Sequence, residues 1–323
     1  MALQIDKLSK RFRNNWVLRD VSFSAPRGSV FGICGSTGSG KSTLLEAIAG
    51  KTKTGSGSMM LYGRDLSVIK PKERGVQLIT SNGPAGFMGA FSSWGSQDSS
   101  GERQFAAVER ALSGDARVLL FDEPFSHMDA VLRDRSIDLI KQDAHANGRV
   151  TIFASNDFDL LTRIADEMAM LDKTELSEAG PPQEFYDAPP NVAAARLTGE
   201  NNLFEARRLS SSDTDLPEFH TIDGGHRIFA FNADKKRLAP INQNSILAIR
   251  PEQVVMSMGN SFPEDNLLRA VVTRIKFRGP TSLIEFDADG LKLETRVFKV
   301  VGLKVGDECM LGLPPHRIII LNA

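Results

Sequence analysis

Residues Gly35 to Thr43 read Gly-Ser-Thr-Gly-Ser-Gly-Lys-Ser-Thr, which fits the spacing G-x-x-x-x-G-K-[ST]. Nothing else in the chain restricts the fold as much. Glycines at this spacing let successive backbone N–H groups turn inward around an anion. A helix that starts at the lysine presents its partially positive N-terminus to the same anion. The pattern carries weight only between a buried strand and a helix, and both are legible. "SVFGIC" just before it is an apolar run, and Leu44, Leu45 and Ile48 just after it recur at helical spacing. The loop therefore predicts a strand–loop–helix unit that grips a phosphate chain with Gly35, Ser36, Thr37, Gly38, Ser39, Gly40, Lys41, Ser42 and Thr43. Lys41 is placed to reach β- and γ-phosphates, and the Ser42 hydroxyl to ligate Mg2+.

The rest of the first two hundred residues supports a parallel sheet. "VQLIT" (76–80), "RVLLF" (117–121), "VTIFAS" (150–155) and "EMAML" (167–171) read as further buried strands. Helices are expected over 101–112, 130–146 and 157–165, and strands separated by helices argue a sheet covered on both faces. From about Asn201 the texture changes. "HRIFAF", "SILAIR", "LLRAVVTRIKF", "SLIEF", "LKLETRVF", "CMLGL" and "RIIIL" follow one another directly, with turn signals such as Asp289-Gly290 between them. This predicts an all-β second domain, a small barrel. A length of 323 residues suits two domains, here 1–200 and 201–323. Between them, "GPPQEFYDAPP" reads as a short helix between prolines and "LSSSDTDLPE" as a loop.

A second chemical signal is "VLLFDEPFSHMD". An apolar strand delivers Asp122 and Glu123 to its carboxyl end, where open α/β sheets bind ligands. Asp122 can hold the Mg2+ shell, and Glu123 can polarise a water for in-line attack on a γ-phosphate.

Bulk properties exclude several classes. Lys+Arg (39) nearly balance Asp+Glu (40), so no electrostatic feature points to nucleic acid. Cys34 and Cys309 lie far apart, which argues against a disulfide scaffold and for a reducing, cytoplasmic setting. Cys34 reads as a small buried hydrophobe, and Trp16 and Phe23 as residues packing the first β-sheet. Lys7, Lys10, Arg11 and Arg13 interrupt any leader-like apolar run. No stretch approaches the roughly 18 apolar residues that span a bilayer.

With these motifs in place, the chain resembles an ATP-binding cassette ATPase. More specifically, it resembles the subunit of bacterial importers that carries a C-terminal β-rich regulatory domain of the TOBE type, as in polyamine, iron and sugar importers. Besides the two motifs above, the likeness rests on "LSKRF…VLRDVSF", "SSGERQ…ERAL", "SHMD", "GPPQEFYDAPPN", "GENNLFEAR" and "LAIRPEQV", so it covers nearly the whole length. It implies an α/β P-loop NTPase core, RecA-like with an antiparallel β edge, followed by a small all-β OB- or TOBE-like barrel. It implies ATP and Mg2+ as ligands and a sandwich of two ATPase subunits, identical or different. Transmembrane permease subunits would be the direct partners and a solute-binding protein an indirect one, on the inner face of the cell membrane. Phe12 falls where the family stacks an aromatic ring on adenine, against a plain core aromatic at a strand end. Ser99 and Gly101 match the signature loop that reaches the other subunit's γ-phosphate, and Asp129 the acidic residue of the D-loop.

Three departures bear on turnover. The signature loop, usually L-S-G-G-Q, is Asp98-Ser99-Ser100-Gly101-Glu102, with an acid in place of an apolar anchor. Asn156 stands where the family has its switch histidine and cannot carry that positive charge. Ser81 replaces the γ-phosphate-sensing glutamine, and only a short segment rich in Gly, Ser and Phe (around 83–98) leads on to Ser99. That is too short for the usual multi-helix lobe, since an average helix alone takes about a dozen residues. Phe87, Met88, Phe91 and Trp94 in it read as residues folded onto the core or as a small contact patch. Two functions follow from the resemblance: an ATPase that powers import, or a cassette that binds ATP and hydrolyses it poorly as a regulatory or non-catalytic partner.

Overall fold

Apolar runs of five or six residues become the central strands of the first unit, and their burial shows why they carry almost no polar residues. The computed structural model describes residues 2–81, 83–84, 99–209, 216–231, 238–257 and 266–321. The chain divides into two units, Met1–Phe185 and Tyr186–Ala323. In the first, strands β1 (Leu3–Phe12), β2 (Asn15–Ala25), β4 (Ser56–Leu61) and β5 (Arg64–Asp65) form an antiparallel sheet in the order β2-β1-β4-β5. A seven-stranded sheet holds β3 (Ser29–Cys34), β6 (Val76–Thr80), β7 (Gly83–Pro84), β8 (Val118–Asp122), β9 (Val150–Ser155), β10 (Glu167–Asp172) and β11 (Glu175–Leu176), in the order β11-β10-β3-β9-β8-β6-β7. Its inner strands β10, β3, β9, β8 and β6 are parallel.

Strand residues alternate between faces, and both faces of this sheet are covered. Phe31, Ile33, Leu120 and Ile152 join one core with Leu44, Leu45 and Ile48 of helix α1 (Lys41–Ala49) and with the antiparallel sheet. The alternate residues Val30, Leu119, Phe121 and Phe153 are also fully buried. Helices α3 (Ala130–Asn147) and α4 (Phe158–Ile164) pack on β3, and α2 (Ser100–Leu112) packs on β6 and α3.

Helix α5 (Pro182–Asp187) spans the boundary, and α6 (Val192–Leu197) opens the second unit. Ten strands follow: β12 (Asn202–Arg208), β13 (Glu218–Thr221), β14 (Arg227–Phe229), β15 (Asn244–Ile249), β16 (Val255–Ser257), β17 (Asn266–Arg278), β18 (Thr281–Ala288), β19 (Leu291–Val297), β20 (Glu308–Leu313) and β21 (Ile319–Leu321). They make two five-stranded antiparallel sheets, β14-β13-β12-β15-β21 and β16-β20-β17-β18-β19, around one core with Phe219, Phe286 and Leu311. All seven strand segments expected after residue 201 are present.

The boundary falls after Phe185 rather than near residue 200, and packing gives the reason. Ala195 of α6 packs with Ala248 and Leu321. Arg250, only 1% exposed, donates to the Tyr186 carbonyl (2.7 Å) and the Thr198 hydroxyl (2.8 Å), and its guanidinium lies 3.9 Å from the Tyr186 ring centre. Residues 186–200 therefore share polar and apolar contacts with the β-rich unit. The shortened segment at 83–98, with Phe87, Met88, Phe91, Trp94 and Asp98, lies outside the described residues apart from Gly83–Pro84, as does most of the expected loop after Leu209.

Candidate functional site

The site is built where β3 ends and α1 begins. Gly35 leaves β3 against the Leu171 carbonyl: a Cβ added there would lie 2.5 Å from Leu171 O and 2.6 Å from Ser39 Oγ. No side chain fits, so glycine is a steric necessity. Ser36, Thr37 and Gly38 are exposed on the loop, and Gly40 is the N-cap of α1. Lys41 is 6% exposed and curls back, donating from Nζ to the carbonyls of Gly35 (2.7 Å) and Ser36 (3.1 Å). Its ammonium lies 3.8 Å from Glu123 Oε1. Ser42 is exposed and Thr43 half-buried.

The acidic pair reaches this place through strand register. In the β8–β9 ladder Asp122 lies opposite Ala154, and the Glu123 N–H extends the ladder to Ala154 O at 3.0 Å. Glu123 then turns at φ 46°, a left-handed value that side-chain-bearing residues seldom adopt. Its carboxylate is held from both sides: Oε2 accepts from Ser155 Oγ (2.9 Å) and Oε1 from the Asn156 backbone N–H (2.7 Å). The Asn156 side chain takes no part in that grip.

Asp122 Oδ1 and Ser39 Oγ are buried with no hydrogen-bond partner among the described residues. Buried polar groups are nearly always paired, so these two oxygens are open to a polar partner. The donor set fits a magnesium-bound triphosphate: loop amides and a lysine for the phosphates, and a hydroxyl with a carboxylate for a hard divalent cation. Phe12 ends β1, is 50% exposed and has Lys10 Nζ 4.6 Å over its ring centre, so it is a surface ring and not a core one. Trp16 does not pack the sheet either; it is exposed beneath the Arg11 guanidinium at 3.5 Å. Phe23 does pack, stacking on Phe31 at 4.9 Å. Cys34 is fully buried, and burial pushes its thiol up to about 12.

A second group of predicted residues gathers at the start of α2. Ser99 is its N-cap in a reciprocal capping box: the Ser99 N–H donates to Glu102 Oε2 (2.7 Å), and the Glu102 N–H donates to Ser99 Oγ (3.2 Å). The Ser99 amide holds the Glu102 carboxyl below the usual carboxylate range. Gly101 is buried, and a Cβ there would stand 2.8 Å from His127 O, which lets the helix close onto the turn after Pro124. Asp129 caps α3, its Oδ1 accepting from the Leu132 N–H at 2.9 Å.

Sequence reading missed Gln104 and Ser155. Gln104 is buried and donates to Ser81 O (2.9 Å) and Ser126 Oγ (3.2 Å), while its Oε1 accepts from the His127 N–H (3.0 Å). It ties the residue after β6 to both α2 and the Pro124–Asp129 turn. Gln104 sits with Gly101, Phe105 and Val108 on the buried helical stripe, and a polar residue on such a stripe was the available signal. For Ser155 the signal was a hydroxyl ending an otherwise apolar strand.

Comparison with known proteins agrees with this geometry. Residues 18–88 match the ABC transporter family model, and residues 247–321 match the TOBE domain. The spermidine/putrescine import ATP-binding protein PotA of Thermotoga maritima is 27% identical, over 86% of this chain and 84% of that protein. The Fe(3+) ions import ATP-binding protein FbpC of Photorhabdus laumondii is 23% identical, over 99% and 97%. Among solved structures, an ATP-binding subunit of an ABC transporter superposes with a TM-score of 0.50 at 19% identity, covering 57% of this chain and 92% of that one. A bacterial Atm1-family ABC exporter with ATP bound gives 0.52 at 20% identity, covering 62% and 42%. At such identities the structures speak for the cassette fold alone. The phosphate loop, the sheet that carries it and the matched segments make the chain similar to ATP-binding proteins of ABC transporters, with residues 247–321 similar to a TOBE domain.

Proposed function

We propose that the chain binds Mg·ATP and powers a partner permease in the import of a small solute, hydrolysing the nucleotide slowly. One observation carries this reading: Lys41 of the glycine loop lies 3.8 Å from Glu123, and Ser39 Oγ and Asp122 Oδ1, close to these two along the chain, are buried and unpaired among the described residues. Relatives named for import of spermidine/putrescine and of Fe(3+) ions support the import role, and their different cargoes suit a chain that does not itself select the solute.

Phosphates enter among the amides of Gly35–Thr43, and Lys41 exchanges the carbonyls of Gly35 and Ser36 for β- and γ-phosphate oxygens. Ser42 and Asp122 would hold magnesium, which supplies neutralisation of phosphate charge. Glu123 polarises the attacking water, and Asn156 donates to the γ-phosphate without the charge of a histidine. Phe12 stacks on adenine. Ser99, Gly101 and Asp129 face the nucleotide of a second ATPase subunit. The Ser99 hydroxyl accepts a bond from Glu102 and keeps its own proton for that contact. Among the described residues no helix is long and apolar enough to cross a membrane, so attachment to the inner face runs through permease subunits, with a solute-binding protein engaged indirectly.

A second reading, ATP binding without useful hydrolysis as a regulatory or non-catalytic subunit, is favoured by the Ser81 carbonyl being taken up by Gln104. Phosphate release from the purified chain separates the two. Slow release that rises about tenfold in Asn156→His supports the ATPase. Binding with no release in either protein supports the second reading.

A further inference from the structure

We infer that Ser155 is the positioning residue for Glu123, and that the side chain at 156 is not. This rests on Glu123 being the carboxylate that polarises the attacking water. Ser155 is 1% exposed and its hydroxyl is bonded on both sides: it accepts from the Asp157 N–H at 3.1 Å and donates its single proton to Glu123 Oε2 at 2.9 Å. Accepting from Asp157 sets the direction in which that proton points. The Asp157 side chain caps α4 by accepting from the Leu160 N–H at 3.1 Å, so the helix start fixes the donor that orients the hydroxyl.

Glu123 needs such a hold. Its φ of 46° is a strained value, which persists where surrounding contacts over-determine it. Those contacts are the Ala154 carbonyl on its N–H, the Asn156 N–H on Oε1 and the Ser155 hydroxyl on Oε2. Two of the three are backbone groups, a carbonyl that any residue at 154 supplies and an N–H that any residue but proline supplies at 156. The hydroxyl at 155 is the one that a substitution can remove. Replacing Asn156 therefore leaves the carboxylate aimed, while removing the hydroxyl at 155 leaves Oε2 loose. Misaligned catalytic groups lose rate more than binding.

The test uses the full chain in steady-state ATP hydrolysis, with single turnover under protein excess, calorimetric ATP affinity and melting temperature beside it, for Glu123→Gln, Ser155→Ala and Ser155→Thr. Glu123→Gln is expected to lose about 100-fold or more in rate. Ser155→Ala is expected to lose about 10- to 100-fold in kcat, with KM and ATP affinity within about threefold of the unmodified chain. Ser155→Thr, which keeps the hydroxyl, should return to within about fivefold. Unchanged kcat in Ser155→Ala beside an inactive Glu123→Gln overturns the assignment of Ser155. Equal losses in the Ala and Thr variants do the same. Full turnover in Glu123→Gln instead overturns the role of Glu123 beneath it.

Discussion

Around residues 35–43 and 122–123 the chain leaves polar groups open, whereas around residues 99–104 and 126–129 it closes them on itself. In the first region Ser39 Oγ and Asp122 Oδ1 are buried without partners among the described residues, and Lys41 leans on its own loop's carbonyls and on Glu123. In the second, Ser99 and Glu102 cap each other, Asp129 caps α3, and Gln104 binds Ser81, Ser126 and His127. An unpaired buried oxygen costs a fold about 1–3 kcal/mol. A region that keeps two of them has polar groups open to a partner, and one that satisfies its own groups needs none. The contrast is what the proposed function expects of a chain that grips nucleotide through the first region and turns it over slowly.

Substitutions can break this contrast or sharpen it. The largest effect is expected from Gly35→Ala, whose methyl would meet the Leu171 backbone carbonyl at 2.5 Å. Loss of ATP binding together with at least about 3 kcal/mol of stability is expected in denaturant unfolding. Next come three changes, one opposite in sign to the other two. Ser39→Ala removes an unpaired buried hydroxyl and is expected to stabilise the ligand-free protein by about 1 kcal/mol. Ser99→Ala and Asp129→Ala each remove an N-cap and are expected to destabilise it by about 1 kcal/mol. Equal signs in unfolding experiments would erase the difference between the regions.

The smallest effect is a pH dependence. Because the Glu102 carboxyl is held below its ordinary range by the Ser99 amide, its contribution is present above the ordinary carboxylate pKa. It is lost as pH falls through the lower folded value. The melting-temperature gap between the unmodified chain and Glu102→Ala should therefore narrow as the pH is taken from neutral into that acidic range.

Much of the first unit was legible because its central strands are buried on both faces. "VQLIT" and "VTIFAS" are β6 and β9 to the residue, since an apolar run bounded by polar turns leaves little freedom. The β1–β2 hairpin was harder to read. Its register shifts between Ile5 and Leu8 and again towards Lys10, with Lys7 and Asp20 at positive φ, and bulges of this kind spoil the two-residue period. In the site, the loop could be read because its chemistry is local. Ser155 and Gln104 could not, since their partners lie 32 and 23 residues away along the chain. The attachment of residues 186–200 to the β-rich unit likewise depends on the buried Arg250, whose contacts are not local in sequence.

The most direct test is a calorimetric titration of the purified chain with ATP in the presence of magnesium, beside Lys41→Ala. The account predicts saturable binding at one site per chain, weakened by about 100-fold or more when the ammonium group is removed. No heat of binding in the unmodified chain, or equal affinity in the two proteins, would contradict it.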